Sequence, residues 1–366
     1  MKYIWLCFIL LSCRDFNYKE QPVIFTSENL ELSQLQKTYS FLSKEDFDLK
    51  LKSSLDRPLM FFRSFTNTYY ADTKVPSQIP LALCLGDAHP ENFGFLLFKD
   101  TTQYVFNDLD EAGACPIALD ALRYFTSLRM MGLSQREVAA YTRYYIKRLT
   151  KLGSSPSLPY SLIENLDKKR KKNLKKYTEE NLFKTHEDLS ELSALEKKEL
   201  LEVLRPMFNQ LKILDLVSLK KESGGSAGLI RYWILIEDET KLQDILELKP
   251  RVKPATAYST EEDAEYSVVQ LAKDIWGELP LHFGEIELGG QKYQVRSRTK
   301  DDINLEKLNP REFDLVLKLQ IWLMAKHHQP ELESVPELAS RWLDYNADLI
   351  FKRYNQAYSD LKSQFN

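Results

Sequence analysis

The sequence predicts an α+β fold of two lobes with a large helical content. Apolar residues recur at helical spacing in residues 31–73, 117–152 and 311–365. Short apolar runs bounded by turn residues lie between these stretches and predict strands. With 366 residues, 43% of them hydrophobic, the chain can bury one large two-lobed domain or two smaller ones.

The first 24 residues differ in character from the rest of the chain. Residues 3–11 form an apolar run that is too short to span a bilayer as a helix and is typical of a secretory signal. The residues from Leu10 to Cys13 are similar to a bacterial lipobox, in which Cys13 is lipidated. A cleaved signal, an uncleaved anchor and a buried helix are the alternatives. We expect an exported protein of the cell envelope that a lipid anchor holds at the membrane.

Charge and cysteine content narrow the function class. A net charge of −3 argues against a general nucleic-acid binder, because there is no excess of positive charge to displace counterions. The basic run at residues 168–172 favours a solvated helix face over contact with anionic lipid or phosphate. Beyond the N-terminal segment the cysteines are Cys84 and Cys115, which could pair in an exported protein or remain free.

Two neighbouring motifs indicate phosphoryl transfer. Asp87 and Asn92 have the Asp-x-x-x-x-Asn spacing of a kinase catalytic loop, in which the Asp positions the acceptor hydroxyl and the Asn binds Mg²⁺. Asp108 follows the apolar run 104–106 and is the candidate metal-binding acid, with Asp110 as a ligand of a second ion. Taken singly, each of these residues could instead cap a turn or a helix.

Short strands are predicted on both sides of these motifs. Residues 81–85 form one apolar run, and residues 93–98 and 104–106 are predicted to pair as a hairpin. His89 lies inside the candidate loop, where a catalytic role and a hydrogen-bonding role are both open.

A glycine-rich turn later in the chain supplies a candidate phosphate-binding element. Gly225, Ser226 and Gly228 are followed by strand-like residues 229–236, and glycines of this kind let backbone N–H groups approach phosphate oxygens. A second predicted strand ends at Lys249, much as the kinase β3 strand delivers its lysine. An ordinary hairpin turn is the alternative.

An amphipathic helix is predicted to begin at Ser259 and to run to Ile275. A kinase needs a Glu on this helix to pair with the lysine, and Glu265 is the candidate, with Glu262 next. Residues 282–287 and 292–298 then form a predicted strand pair.

These motifs resemble the bacterial domain-of-unknown-function 2252 family, which is placed in the protein-kinase-like superfamily. The block from Gly86 to Gly94 is the specific part of the resemblance. Shorter matches run in the family's order over nearly the whole mature chain: Phe61 to Ser64, Asn107 to Ala112, Pro116, Asp120, Arg123, Gly225 to Gly228, Lys249, Tyr293 to Arg296, and Ala325 to His327.

The chain departs from the family pattern at three points. Ser64 stands where the family usually has Gly, and Leu109 stands where it has Phe. Lys249 is followed by Pro250, where the family tends to have Glu-Ala. Because a proline constrains the backbone before it, Lys253 remains a competing candidate for the nucleotide lysine.

The order of the motifs implies a circularly permuted kinase, since the catalytic loop precedes the glycine-rich turn. The expected organisation is a signal or lipoprotein segment with a linker at 1–24, a catalytic-loop lobe with a helical insertion at 25–217, a nucleotide-binding small lobe at 218–300, and helices at 301–366 that return to the large lobe. Permutation is physically permitted, because chain ends usually lie at the surface and often near each other.

The resemblance implies an ATP- and Mg²⁺-dependent phosphotransferase. Asp87 would align the acceptor hydroxyl and take its proton, Asn92 and Asp108 would bind Mg²⁺, and Lys249 would contact the nucleotide phosphates. Supporting roles fall to His89, Asp120 and Arg123, the last two as an ion pair three residues apart on one helix.

The acceptor of the implied reaction is a hydroxyl of unknown identity. The catalytic block is similar to that of aminoglycoside and choline kinases, which favours a small molecule or sugar over a protein. Two other functions stay open: a surface-anchored binding protein on a degenerate kinase scaffold, and a metal-dependent phosphoester hydrolase.

Overall fold

A computed structural model describes residues 22–99, 101–164, 166–220, 229–260, 266–298, 302–332 and 336–365. It confirms a mixed α+β protein. The helices are α1 Leu32–Thr38, α2 Lys44–Ser54, α3 Pro58–Ser64, α4 Thr66–Asp72, α5 Ala118–Met130, α6 Gln135–Thr150, α7 Tyr160–Ile163, α8 Leu166–Tyr177, α9 Ala194–Met207, α10 Val268–Trp276, α11 Pro310–Leu332 and α12 Pro336–Phe365.

The strands form one larger sheet and several two-stranded pairs. They are β1 Ile24–Phe25, β2 Thr73–Lys74, β3 Leu81–Cys84, β4 Phe93–Leu97, β5 Thr102–Phe106, β6 Gly113–Pro116, β7 Thr178–Glu179, β8 Leu182–Phe183, β9 Leu189–Glu191, β10 Lys212–Lys220, β11 Ile230–Glu237, β12 Gln243–Pro250, β13 Gly284–Leu288 and β14 Gln291–Ser297. The pairs are β1 with β2, β3 with β6, β4 with β5, and β7 with β8.

The larger sheet is antiparallel, with strand order β13-β14-β12-β11-β10-β9. Because successive side chains in a strand point to opposite faces, the sheet supplies two apolar layers. Leu246 and Val295 pack on one face with Leu200 and Leu204 of α9. Trp233, Leu235 and Ile245 pack on the other face with Tyr177 of α8, so an apolar layer covers each face of the sheet.

Helices build the main core, in which α5 packs against α12 and α6 packs against α11 and α12. The long helical pattern of residues 117–152 is divided into α5 and α6 at Gly132, whose φ of 97° favours glycine. Ser134 then caps α6 through a capping box with Glu137. Nearly every residue of α5 is buried, so this helix lies at the centre of the protein. Within the described ranges no helix is long and apolar enough to cross a membrane.

The two acidic motifs lie in loops beside paired strands. The candidate catalytic loop connects β3 to β4, and the segment with Asp108 and Asp110 connects β5 to β6. Phe93 pairs with Phe106, and the backbone N–H of Asn107 donates to the carbonyl of Asn92 at 3.0 Å. The strand pairing therefore brings the two motifs side by side.

The predicted start of α10 at Ser259 is wrong. Residues 255–258 form a separate 3-10 helix, and α10 is capped by Ser267, whose hydroxyl accepts from the N–H of Val269 at 3.3 Å. Glu262 and Glu265 lie outside the described residues, as does the glycine-rich turn with Gly225, Ser226 and Gly228. Strands β6 and β10 and helix α9 were not predicted.

Cys84 and Cys115 form a disulfide across the β3–β6 pair. The two residues are 31 positions apart, and both are fully buried. The segment that the bond closes contains the candidate catalytic loop and the acids Asp108 and Asp110. Pairing of these cysteines, which the sequence left open, is thus a property of the fold.

We expect loss of the disulfide to destabilise the protein. A loop of this length restricts the unfolded chain enough to contribute about 3 to 4 kcal/mol to the free energy of unfolding. The double variant Cys84→Ala/Cys115→Ala should therefore unfold at a lower urea concentration than the wild type. The wild type under strong reductant is the matched control and should behave like the variant. An unchanged urea midpoint in both would contradict the prediction.

Candidate functional site

Three of the acids that the sequence predicted for the site line one cavity of about 110 Å³. Asp87 and Asn92 line it from the β3–β4 loop, and Asp108 and Asp110 line it from the β5–β6 loop. Lys249 enters from β12 of the larger sheet. Residues from distant parts of the chain are therefore brought to one place.

Asp87 is held by several donors. The Arg123 Nε donates to its Oδ1 at 3.0 Å, the Thr66 hydroxyl donates to the same oxygen at 3.2 Å, and the Asn92 amide donates to Oδ2 at 3.2 Å. Burial alone would raise the pKa of Asp87, but the Arg123 guanidinium and His89 hold it well below its usual range. The carboxylate is therefore ionised and fixed in orientation.

His89 has the structural role that the sequence left as one of two options. Its Nδ1 accepts the backbone N–H of Glu91 at 3.1 Å, which caps the short helix at residues 90–92. Its Nε2 lies 3.0 Å from the Nε of Arg63 and 3.3 Å from Asp87 Oδ2. Burial and the Arg63 charge lower the pKa of His89 to about 4, so the ring is neutral at pH 7.

Asp120 and Arg123 do not pair with each other, so that prediction is wrong. The Asp120 carboxylate accepts the backbone N–H groups of Leu85 and Gly86 and lies 3.3 Å from His328 Nε2, while Arg123 binds Asp87. Burial would raise the pKa of Asp120, but the hydrogen bond with His328 and the backbone donors lower it. The Asp120 carboxylate therefore binds backbone N–H groups and not Arg123, its neighbour on the helix.

The backbone at Gly86 requires glycine. Its φ is 86°, and a Cβ at this position would lie 2.0 Å from the carbonyl oxygen of Glu111. The close approach joins the β3–β4 loop to the β5–β6 loop. The Tyr70 hydroxyl also lies at this point, 2.5 Å from the Gly86 carbonyl oxygen and 2.9 Å from Asp120 Oδ1, and can donate its one proton to either acceptor.

Lys249 pairs with both acids of the second loop. Its Nζ lies 3.1 Å from each carboxylate oxygen of Asp108 and also contacts Asp110 Oδ2. Burial raises the pKa of Asp108, but Lys249 and Arg296 outweigh it and lower the pKa. The side chain of Lys253 lies instead over the Tyr258 ring. Of the two lysine candidates, Lys249 is the one beside the acids.

A charge cluster that the sequence did not indicate lies next to Lys249 on the sheet. Glu247 accepts from Arg231 at 2.8 Å and from the Nη2 of Arg296 at 3.0 Å. Against the effect of burial, the two guanidinium groups hold the pKa of Glu247 well below its usual range. Arg296 lies opposite Glu247 on β14, and Arg231 lies on β11 two residues before Trp233, which is opposite Glu247 on the other side, so only the strand register could have revealed the cluster.

The donor set at the acids fits a hard divalent cation, which prefers carboxylate and carbonyl oxygens. In the part of the chain that the structure describes, Asp110 Oδ1 is buried with no hydrogen-bond partner. The Asn92 side chain donates to Asp87 through Nδ2. Its amide oxygen is an acceptor and is therefore the atom of this side chain that could bind a metal. Asp108, Asp110 and Asn92 are the residues that would hold the ion.

Glu111 is a further acid of the cavity that sequence reasoning assigned no role. Its Oε2 accepts the backbone N–H of Ala255 at 2.6 Å. Burial and the Asp87 charge raise the pKa of Glu111 to about 7. Its place directly after Asp110 in the motif was the signal that could have found it.

The site and the fold define an α+β protein with a cluster of buried acids and cations where the larger sheet meets two strand-connecting loops. The chain belongs to the family described as "Uncharacterized protein conserved in bacteria (DUF2252)", which matches residues 43–190 and 160–341. No curated protein and no solved structure matches the chain.

Asp120→Asn is expected to destabilise the protein by about 3 kcal/mol, because an amide NH₂ would replace an oxygen that accepts buried N–H donors. The urea midpoint of the variant measures this loss. Asp188→Asn removes an exposed carboxylate and should leave the midpoint unchanged. Equal midpoints for the two variants would show that Asp120 does not hold the loop.

Stability is expected to fall as the pH drops from 6.5 to 4. Burial lowers the pKa of both His89 and His327 to about 4 from the usual 6.5. The folded state therefore favours the neutral rings. Their contribution to the free energy of unfolding, about 3 kcal/mol for each ring, is complete above pH 6.5 and is lost as the pH falls through 4. His327→Gln should flatten the plot of urea midpoint against pH, and an unchanged slope would refute this.

Proposed function

We propose that this protein is an ATP- and Mg²⁺-dependent phosphotransferase that acts on a hydroxyl group. The observation that carries the proposal is the contact between the Lys249 Nζ and the Asp108 carboxylate, across 141 residues of sequence. In kinases a lysine on a strand of the nucleotide lobe and a metal-binding Asp meet at the nucleotide phosphates.

Strand order supports a nucleotide-binding lobe at residues 218–300. Kinases place a glycine-rich loop before the strand that carries the lysine and a helix after it. Here residues 221–228 connect β10 to β11, Lys249 lies on β12, and α10 follows. We therefore propose a two-lobed, circularly permuted kinase-like fold, with residues 25–217 and 301–366 as the large lobe.

Asp87 acts mainly by position in this proposal. Its lowered pKa makes it a weak base, and four donor atoms, from Arg123, Thr66 and Asn92, fix both carboxylate oxygens. Phosphoryl transfer depends largely on alignment and charge stabilisation, so a fixed acceptor of the substrate hydroxyl suits the reaction.

The other residues of the site would balance the negative charge of the nucleotide phosphates. Mg²⁺, when bound, would neutralise charge on the transferring phosphoryl group, and Asp108, Asn92 and Asp110 would hold it. Lys249 would exchange part of its contact with the acids for contact with nucleotide phosphates. Arg296, 3.5 Å from Asp108, keeps a positive charge beside the acids during that exchange.

We also propose that the protein is exported and anchored through Cys13. The buried Cys84–Cys115 disulfide supports export, because structural disulfides form and persist in oxidising compartments.

A small molecule or sugar is the proposed class of acceptor.

The test is a thermal-shift titration of the full-length chain with ATP and Mg²⁺. Ligand that binds the native state at about a hundred times its dissociation constant stabilises the protein by about 2.7 kcal/mol, and this should raise the melting temperature. We expect the shift in wild type and in the control Asp188→Asn, and we expect its loss in Asp108→Asn and Lys249→Met.

Two results would redirect the proposal. No shift in wild type would exclude nucleotide binding at this site and leave a binding protein on a kinase-like scaffold. A shift accompanied by phosphate release without any acceptor would identify a hydrolase instead of a phosphotransferase.

A further inference from the structure

A second and larger cavity lies beside the acid site. Its volume is about 390 Å³, within the range of small-molecule sites. Apolar side chains form most of its wall, and they come from β4, α8, β11, α10 and the loop after α10: Leu96, Leu97, Leu174, Ile236, Trp276 and Phe283. We call it the leucine-rimmed cavity, after Leu97, Leu242 and Leu281, which also line it.

Three leucines that line this cavity are also exposed to solvent. The exposed fractions are 36% for Leu97, 63% for Leu242 and 36% for Leu281. A scattered exposed leucine needs no explanation, but a cluster around one concave site is typical of a binding surface. An apolar group that entered the cavity would cover these leucines. The removal of their apolar surface from water would favour binding.

One side of the cavity is cationic. Arg170 and Lys171 of α8 line it, and the helix also carries exposed lysines at positions 168, 169, 172, 175 and 176. This concentration of positive charge contrasts with the net charge of −3 for the whole chain. A ligand with an anionic group next to an apolar part would match both sides of the cavity.

The acids that line the same cavity are engaged within the protein. The Asp238 carboxylate accepts from the hydroxyl of Thr240 and the N–H of Leu242, both within 2.9 Å. Asp244 accepts from the Ser297 hydroxyl and from the N–H of Ile245. Their hydrogen bonds hold the turn between β11 and β12 and the end of β14. The lining carries three cations, Arg170, Lys171 and Arg296, against these two acids, and the exposed lysines of α8 add further positive charge, so the cavity favours an anionic ligand group.

We propose that the leucine-rimmed cavity binds a single-chain anionic amphiphile, with the alkyl chain among the leucines and Trp276 and the anionic group against Arg170 and Lys171. Arg296 lines both this cavity and the acid site, so the ligand would lie beside the proposed phosphotransferase centre. The binding proposal goes beyond the proposed function and does not depend on it.

Tryptophan fluorescence tests this proposal. The full-length chain carrying Cys13→Ser, which removes the thiol of the proposed lipidation site, would be titrated with an alkyl phosphate brominated near the end of its chain, below its micelle concentration and without ATP or Mg²⁺. Bromine quenches a tryptophan that it contacts, and Trp276 lines the cavity. We expect saturable quenching that is largely lost in Trp276→Phe.

Variants at the rim separate specific binding from general adsorption. Leu242→Glu and Leu281→Glu, each at a partly exposed side chain, should weaken binding by about tenfold or more, because they place a charge where the alkyl chain enters. Leu195→Glu, at a 65% exposed leucine of α9 outside the cavity, is the matched control and should bind like the parent. Thermal melting of each variant confirms that it is folded.

Ligand controls test the chemistry of the site. An uncharged alkyl maltoside of the same chain length should bind about tenfold more weakly, and inorganic phosphate should not displace the alkyl phosphate. Quenching that persists in Trp276→Phe, equal affinities for all the leucine variants, or displacement by phosphate alone would each overturn the proposal. Since nucleotide is absent throughout, these results stand apart from the outcome of the ATP titration.

Discussion

The ion pair between Arg123 and Asp87 is the interaction on which the placement of the site depends. Arg123 is fully buried at the centre of the protein, stacked on the Phe62 and Tyr69 rings. A buried guanidinium without an anion would cost several kcal/mol, and the same holds for a buried carboxylate without donors. The helix α5 and the β3–β4 loop are therefore fixed relative to each other. The β5–β6 loop is fixed as well, because it packs closely against the backbone of Gly86.

Charge balance continues from this pair into the larger sheet. Lys249 and Arg296 face Asp108, while Arg231 and Arg296 face Glu247. Asp108 and Glu247 thus each face two cations, and a bound phosphate would compete with these carboxylates for the same positive groups. Such a site can exchange partners without leaving a buried charge unpaired.

Patterns of neighbouring residues predicted the loop of Asp87 and the strands beside it. The Asp-x-x-x-x-Asn spacing and the apolar runs located the loop of Asp87 and its flanking strands, because a hairpin and its loop are defined by neighbours in sequence. The partner of Arg123 and the start of α10 were not predictable in the same way. Asp120 and Arg123 have helical spacing, yet each binds a group from another element, and Ser267 rather than Ser259 caps α10 because the 3-10 helix at 255–258 intervenes.

The Cys84–Cys115 bond also acts on the chain when it is not folded. It makes residues 84–115 a covalent ring, and the ring contains Asp87, Asn92 and Asp108. Thermal or chemical unfolding leaves this ring closed, so the three side chains stay at a high local concentration in the denatured ensemble. When the protein refolds with the disulfide intact, these three side chains therefore need to search only a short loop before they meet again.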